Sequence, residues 1–127
     1  MGEVMNQDRK PRCSANKLLE TNLGRIKLKT PLSVASGTFD LENLEFYDAA
    51  CLGAFVTKTI TKLPKQGNPP PRLYESEAGL INSIGLQNPG LKVFVEERLP
   101  EYRAKLSMPL IVSFSGSTIA EFCEILE

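Results

Sequence analysis

Hydrophobic and polar residues alternate in changing patterns along the chain, and these patterns predict short strands separated by helices. Alternation with a period of two, or a short apolar run, indicates a strand, whereas apolar residues three and four apart indicate a helix. The predicted strands are residues 26–28, 32–35, 54–57 and 110–114. The predicted helices are residues 41–51, 91–99 and 118–127. Pro100 is expected to interrupt the second helix, and Thr118 with Glu121 forms the capping-box pattern that starts the third.

The order of these elements predicts an α/β fold. Three strands are each followed by a helix, and strands joined through helices pair in parallel. A closed (β/α)8 barrel needs eight such units and about 250 residues. With about three units in 127 residues, the chain is interpreted as a fragment or a truncated gene product. A small three-layer α/β domain that is complete in itself stays open as the alternative.

Two segments are expected to lack regular structure. Residues 1–22 are polar and aperiodic, which predicts a flexible N-terminal extension ahead of a domain at 23–127. Residues 59–89 contain five prolines and three glycines. A long irregular stretch is uncommon in a compact domain unless it serves a function.

Composition excludes several function classes. Fifteen basic and fifteen acidic residues cancel, which gives no reason to expect a nucleic acid or an anionic membrane as partner. No apolar run approaches the roughly 18 residues of a membrane span, and the N-terminus lacks a signal-peptide core, so a cytoplasmic protein is expected. The chain has no histidine, and its three cysteines match no metal-binding spacing. No metal site is therefore predicted, and Cys51 and Cys123 are expected to be buried thiols.

Polar residues follow each of three predicted strands at the point where the strand ends. They are Ser36-Gly37-Thr38, Lys58-Thr59 and Ser113 with Ser115-Gly116-Ser117. Active sites of β/α barrels form at the carboxyl ends of the strands, so these clusters are candidates for one site. For Lys58, the alternative is a strand-end lysine that simply reaches solvent.

The segment GLINSIGLQNPG, residues 79–90, has the highest density of candidate binding residues. Asn82 offers a side-chain donor and acceptor, and Gly85 permits close approach of the backbone to a ligand. Successive backbone N–H groups in such a turn can bind an anion. An ordinary Gly/Asn turn stays open as the alternative.

Five strings in this chain occur in the same order in class 1 dihydroorotate dehydrogenases. They are ASGTF (35–39), VTKTIT (56–61), GNPPPR (67–72), INSIGLQNPG (81–90) and PLIVSFSGST (109–118). Residues 23–127 thus resemble the N-terminal part of that family, and ASGTF and GLQNPG are more similar to the NAD-linked class 1B branch. The resemblance implies an FMN-dependent (β/α)8 barrel that oxidises dihydroorotate to orotate in pyrimidine biosynthesis.

The resemblance also implies roles for individual residues. Ala35, Ser36, Gly37, Lys58, Thr59 and Ser113 would contact FMN. The substrate would be bound by Lys58, Asn82 and the backbone of Ile84, Gly85 and Leu86. The catalytic base of class 1 enzymes is a cysteine after a later strand, and none of Cys13, Cys51 and Cys123 lies in a matching motif. No catalytic residue is therefore expected in this chain, which should be inactive alone.

The partners implied by the resemblance are dihydroorotate or orotate, an electron-transfer subunit with FAD and an iron–sulfur cluster, and a second copy in a homodimer. Two other readings stay open. One is a different FMN barrel oxidoreductase acting on a pyrimidine-like ring. The other is a non-catalytic truncated product.

Overall fold

The computed structural model describes residues 19–127, in two compact units. Unit 1 comprises residues 19–57 and 102–111, and unit 2 comprises residues 58–101 and 112–127. Cys13 and most of the predicted N-terminal extension lie outside the described residues. Strand β1, Thr21–Leu23, begins inside the segment that was predicted as that extension.

Unit 1 contains an antiparallel hairpin and a set of parallel pairings. Strand β1 pairs with β2, Ile26–Leu28. Strand β3, Phe55–Val56, pairs in parallel with β6, Leu110–Ile111. Ser33 also forms a parallel bridge with Ala54, the residue before β3. The predicted parallel arrangement is confirmed, although the predicted strand at 32–35 is reduced to the single bridge at Ser33.

The core of unit 1 forms around β3. Phe55 is fully buried, and its ring lies 5.5 Å from that of Tyr102, which is 2% exposed. The Tyr102 hydroxyl donates to Asp40 Oδ1 over 2.7 Å, so this buried ring retains a polar partner. Gly53 packs so closely on the carbonyl of Thr30 that a Cβ there would overlap it. Glycine at this position is therefore needed for packing.

The predicted helix at 41–51 is wrong. The structure has two separate 3-10 turns, Leu41–Glu45 and Ala49–Cys51. Asp40 accepts a hydrogen bond from the Leu41 N–H (2.7 Å), and Asp48 accepts one from the Ala50 N–H (2.8 Å). Each aspartate starts a turn of its own, because its short side chain binds the nearby backbone in place of a helical carbonyl.

Unit 2 contains regular structure within the stretch that was predicted to be irregular. Strands β4, Leu73–Ser76, and β5, Gly79–Asn82, form an antiparallel hairpin with Tyr74 opposite Ile81. Both of these side chains are more than 60% exposed. The alternating burial that identifies a strand is absent from this hairpin, which explains why its sequence showed no such pattern.

The predicted interruption at Pro100 is also wrong. Helix α1, Gly90–Val93, runs through a π-helical turn, Phe94–Arg98, into α2, Leu99–Lys105. The Leu99 N–H donates to the Phe94 carbonyl, five residues back. This wider turn changes the position of the preceding carbonyls just where Pro100 lacks an N–H, so the helical path continues.

Helix α3, Ile119–Leu126, begins as predicted at Thr118, whose hydroxyl accepts from the Glu121 N–H over 3.2 Å. The Glu121 carboxylate binds the N–H of Ser117, one residue before the expected capping-box partner. Burial of both cysteines is wrong, because Cys51 is half-buried and Cys123 on α3 is exposed. No residue of α3 is buried, although the ring of Phe122 lies 5.8 Å from that of Phe114.

Candidate functional site

In unit 2, residues that follow β3 lie beside residues that follow β6. The Ile60 N–H donates to the Ser113 carbonyl (3.0 Å), the Ser115 N–H donates to the Ile60 carbonyl (2.9 Å), and Ile60 and Phe114 form a parallel bridge. This pairing aligns Thr59 with Ser113, whose hydroxyl oxygens are 2.8 Å apart. Two predicted site residues separated by 54 positions in the sequence are thus in direct contact.

Lys58 precedes Thr59 and is half-buried, as are Thr59 and Ser113. A lysine in this environment has its aliphatic stem packed while its ammonium stays accessible to a ligand. Lys58, Thr59 and Ser113 thus make up a group of potential donors at the carboxyl ends of two parallel segments. Such a group can donate hydrogen bonds to an anionic or carbonyl-rich ligand.

Ala35, Ser36 and Gly37 belong to unit 1 and form a tight turn. The Ala35 carbonyl accepts from both the N–H (3.2 Å) and the hydroxyl (2.7 Å) of Thr38. Gly37 has a φ of 74°, a left-handed conformation that glycine adopts without steric penalty. The half-buried Ser36 therefore lies between two small residues, Ala35 and Gly37.

The predicted substrate segment follows the β4–β5 hairpin in unit 2. Asn82 is the last residue of β5, is exposed and lies opposite Leu73. Ile84 and Leu86 are half-buried, and Gly85 between them is exposed. Gly85 and Leu86 both have left-handed backbones, with φ values of 76° and 58°. The chain therefore turns sharply at the predicted binding residues.

A second loop holds this segment in place, and its side chains were missed in the sequence. The Asn68 N–H donates to the Ile84 carbonyl (3.1 Å), and its side-chain amide donates to the Ser83 hydroxyl (2.7 Å). Arg72 adds bonds to Gln87 Oε1 (2.6 Å) and the Gln66 carbonyl (3.0 Å). The string GNPPPR contains Asn68 and Arg72, but nothing in it indicates that its partners are Ser83, Ile84 and Gln87.

Two glycines make this approach of the loops possible. A Cβ on Gly85 would lie 2.6 Å from the Asn68 nitrogen, and a Cβ on Gly67 would overlap the Ile84 carbonyl. The loops thus pack backbone against backbone. Asn88, which is 6% exposed, joins the same region by binding Thr61, Leu86 and Gly90.

A separate cavity of about 280 Å³ in unit 2 contains Ser115, Gly116 and Ser117 of the third candidate cluster, but none of the residues to which the resemblance gives a role. It is lined by Thr61, Lys62, Leu63, Pro64, Lys65, Ser115, Gly116, Ser117 and Glu121. Lys62 forms an ion pair with Glu124. The hydrogen bond and the charge of Glu124 raise the pKa of Lys62 above its ordinary value. Among residues 19–127, no three His, Cys, Asp or Glu side chains come together as possible metal ligands.

Comparison with known proteins decides the family. The sequence profile described as dihydroorotate dehydrogenase matches residues 18–127. The chain belongs to the dihydroorotate dehydrogenase family. It is 48% identical over 106 residues to the protein named dihydroorotate dehydrogenase B (NAD(+)), catalytic subunit, of Thermoanaerobacter pseudethanolicus, covering 82% of this chain and 35% of that one. The subunit of the same name from Thermodesulfovibrio yellowstonii is 46% identical over 110 residues, covering 85% of this chain and 36% of that one.

Solved structures of the family share this fold. The ligand-free dihydroorotate dehydrogenase of Eimeria tenella superimposes with a TM-score of 0.67 at 25% identity, over 88% of this chain and 35% of that one. The complex of the Eimeria tenella enzyme with ferulenol gives 0.63 at 24% identity, over 87% of this chain and 33% of that one. The predicted family and the α/β class are confirmed. This dihydroorotate dehydrogenase chain spans about a third of the length of the relatives it matches.

None of the helices within residues 19–127 has both the length and the apolar character needed to cross a membrane.

Proposed function

We propose that residues 23–127 form the N-terminal part of a (β/α)8 barrel that oxidises dihydroorotate to orotate with FMN as cofactor. In this proposal residues 1–22 precede the barrel as an extension. The chain contributes flavin and substrate contacts, and the catalytic base and the phosphate-binding loops come from outside these residues. The observation that carries the proposal is the contact between Thr59 and Ser113 beside Lys58, at the ends of two parallel segments.

The residues present fit a flavin. A bound flavin accepts a hydride from the substrate, which leaves negative charge on its pyrimidine ring. We assign to Lys58 the role of holding a positive charge against that ring, since a half-buried ammonium interacts more strongly with an anion than a fully solvated one does. We also assign flavin contacts to Thr59 and Ser113, whose hydroxyls are potential donors, and to Ala35, Ser36 and Gly37.

The substrate is assigned to the segment after β5. Asn82 presents an amide that can pair with the edge of a pyrimidine ring and stays neutral at every relevant pH. The left-handed turn at Gly85 and Leu86, following Ile84, directs successive backbone N–H groups to one side of the chain. Such a group suits the carboxylate of dihydroorotate, and we assign the carboxylate to these three residues.

The partners follow from the names of the relatives. A catalytic subunit of a B-type, NAD(+)-linked enzyme implies a separate subunit that passes electrons onward. We propose such a partner, with FAD and an iron–sulfur cluster, together with a homodimer of the complete catalytic subunit. We also propose a cytoplasmic location, which is a reducing compartment.

A chimaera tests the function. Residues 18–127 replace the matching N-terminal region of the Thermoanaerobacter pseudethanolicus catalytic subunit, and the product is loaded with FMN. We expect a yellow protein whose flavin is bleached anaerobically by dihydroorotate. The isolated 127-residue chain should purify colourless and show no turnover.

Three outcomes would contradict this assignment. A chimaera that retains FMN but is not reduced by dihydroorotate would exclude the proposed substrate. Reduction by dihydrouracil, which lacks the carboxylate, as fast as by dihydroorotate would favour a different pyrimidine-oxidising barrel. A yellow 127-residue chain that turns over dihydroorotate would show that the base lies within these residues.

A further inference from the structure

The left-handed turn after Ile84 includes a residue that does not favour this conformation. Leu86, with a φ of 58°, is the one non-glycine residue among residues 19–127 whose φ is positive. A side chain with a Cβ meets the following carbonyl in this region, so the conformation is maintained only when neighbouring groups determine it. Strain of this kind is concentrated at binding sites. Neighbouring groups must therefore hold Leu86 in this conformation.

Asn88 provides the restraint. Its Nδ2 donates to the Leu86 carbonyl over 2.8 Å and to Thr61 Oγ1 over 3.0 Å. Its Oδ1 accepts from the N–H groups of Thr61 (3.1 Å) and Gly90 (2.9 Å). The main chain of Asn88 is also fixed, by two 3.0 Å hydrogen bonds with Lys65. A side chain with this many partners cannot rotate away, so the Leu86 carbonyl is held against a rigid amide.

The turn from Ile84 to Leu86 is restrained at both of its ends. On the other side, the Asn68 N–H holds the Ile84 carbonyl, and the close approach of Gly85 to Asn68 leaves no room for that loop to shift. The segment from Ile84 to Leu86 is therefore fixed at its start by Asn68 and at its end by Asn88. These two bonds restrain the backbone between them, and with it the N–H groups of Gly85 and Leu86.

We infer that Asn88 is a positioning residue for substrate recognition, which holds Leu86 in its left-handed conformation and so directs the backbone N–H groups of Gly85 and Leu86. This inference rests on the proposed function, because it takes the carboxylate of dihydroorotate to be the ligand of those groups. Asn88 itself touches no substrate in this scheme. It acts through the backbone conformation of Leu86.

A purely structural role is the competing explanation. The N-cap residue of α1, Pro89, makes no side-chain cap, and Asn88 Oδ1 binds the Gly90 N–H at the start of that helix. Asn88 could therefore serve only to stabilise the start of the helix and its junction with Thr61. The two explanations differ in which hydrogen bonds matter, since the structural role depends on the bonds to Gly90 and Thr61 and the positioning role depends on the bond from Nδ2 to the Leu86 carbonyl.

Two variants separate these hydrogen bonds. Asn88→Asp keeps the acceptor for the N–H groups of Thr61 and Gly90 but, with its carboxylate ionised, cannot donate to the Leu86 carbonyl or to Thr61 Oγ1. Thr61→Val removes a hydroxyl partner and leaves the bond to Leu86. In the FMN-loaded chimaera at pH 8, we expect Asn88→Asp to raise the KM for dihydroorotate about tenfold with kcat changed less than twofold, on the scale of one hydrogen bond. Thr61→Val should lower the melting temperature and leave KM unchanged. Asn22→Asp, at an exposed position in β1, serves as the matched control.

An unchanged KM in Asn88→Asp, or an equal rise in KM in Thr61→Val, would overturn the inference. If the unmodified chimaera fails to oxidise dihydroorotate, the proposed function fails instead, and the 127-residue chain then provides the test. The Cα and Cβ chemical shifts of Leu86 report its backbone conformation directly. We expect Asn88→Asp to move them toward extended values and Thr61→Val to leave them in place. Shifts that stay left-handed in Asn88→Asp would show that Asn88 does not position the turn.

Discussion

The hydroxyl oxygens of Thr59 and Ser113 lie 2.8 Å apart, although 54 residues separate them in the sequence. Both side chains are half-buried and follow segments that pair in parallel through Ile60 and Phe114. This hydrogen bond joins the carboxyl ends of the two segments at the candidate flavin site. It therefore links the stability of unit 2 to the geometry of that site.

This link is measurable as a coupling free energy. We expect Thr59→Val and Ser113→Ala each to lower the free energy of unfolding by about 0.5–1.5 kcal/mol, the net contribution of a typical hydrogen bond. The double variant should lose less than the sum of the two, because both substitutions remove the same interaction. Urea unfolding of the 127-residue chain provides the measurement, with Ser107→Ala as an exposed serine control. Strict additivity would show that the hydroxyls do not interact in solution.

Lys58 should control flavin reduction in the chimaera. Lys58→Ala removes a charge-assisted contact worth roughly 1.5–3 kcal/mol, which corresponds to about a ten- to hundredfold slower reduction. Lys58→Arg should restore little, because a planar guanidinium does not occupy the position of a compact ammonium. Asn82→Ala should instead weaken substrate binding and leave flavin retention unchanged. Stopped-flow reduction by dihydroorotate distinguishes these effects, with the exposed Lys65→Ala as control. Reduction of Lys58→Ala at the unmodified rate would show that this lysine is merely solvated.

We expect Gly85 to tolerate no side chain. Comparison with Gly24 separates the effect of steric overlap from the effect of the left-handed backbone. Both have positive φ, 76° and 59°, but a Cβ on Gly24 meets no atom within 4 Å, whereas one on Gly85 would lie 2.6 Å from the Asn68 nitrogen. We expect Gly24→Ala to lower the free energy of unfolding by about 1–2 kcal/mol, the penalty of the left-handed conformation. Gly85→Ala should lose a further 1–3 kcal/mol or so from the clash. Equal losses in urea unfolding would indicate that the two loops separate readily.

The ion pair between Lys62 and Glu124 predicts a pH dependence at high pH. The Glu124 carboxylate raises the pKa of Lys62, so the folded protein binds this proton more tightly than the unfolded chain does. The pair therefore stabilises fully below the ordinary lysine pKa of 10.5, and its contribution is lost as pH rises through the higher folded value. We expect wild type and Glu124→Gln to differ slightly in melting temperature at pH 8 and to converge as the pH rises through the raised folded pKa of Lys62. Because both side chains are nearly half exposed, high salt should reduce the difference as well. Glu77→Gln, an exposed glutamate in the β4–β5 turn, should show no such convergence.

The sequence by itself determined the features that depend on neighbouring residues. The apolar runs around Phe55 and Leu110 identified two parallel strands, because burial on both faces of a parallel sheet leaves a continuous hydrophobic signal. Thr118 identified the start of α3, because an N-cap is formed by a side chain and an N–H three residues apart. The five ordered strings identified the family, since they carry residue types at fixed spacing.

The tertiary structure alone decided which distant residues meet and which local preferences are overridden. The contacts of Thr59 with Ser113 and of Asn88 with Thr61 join residues 54 and 27 positions apart, and no local pattern encodes them. The segment 41–51 has helical spacing, yet Asp40 and Asp48 divide it into two short turns. Cys123 lies on an apolar stripe and is nevertheless exposed, because a stripe shows only which face could be covered. Burial and long-range hydrogen bonds depend on the path of the whole chain, and that path is a property of the folded structure.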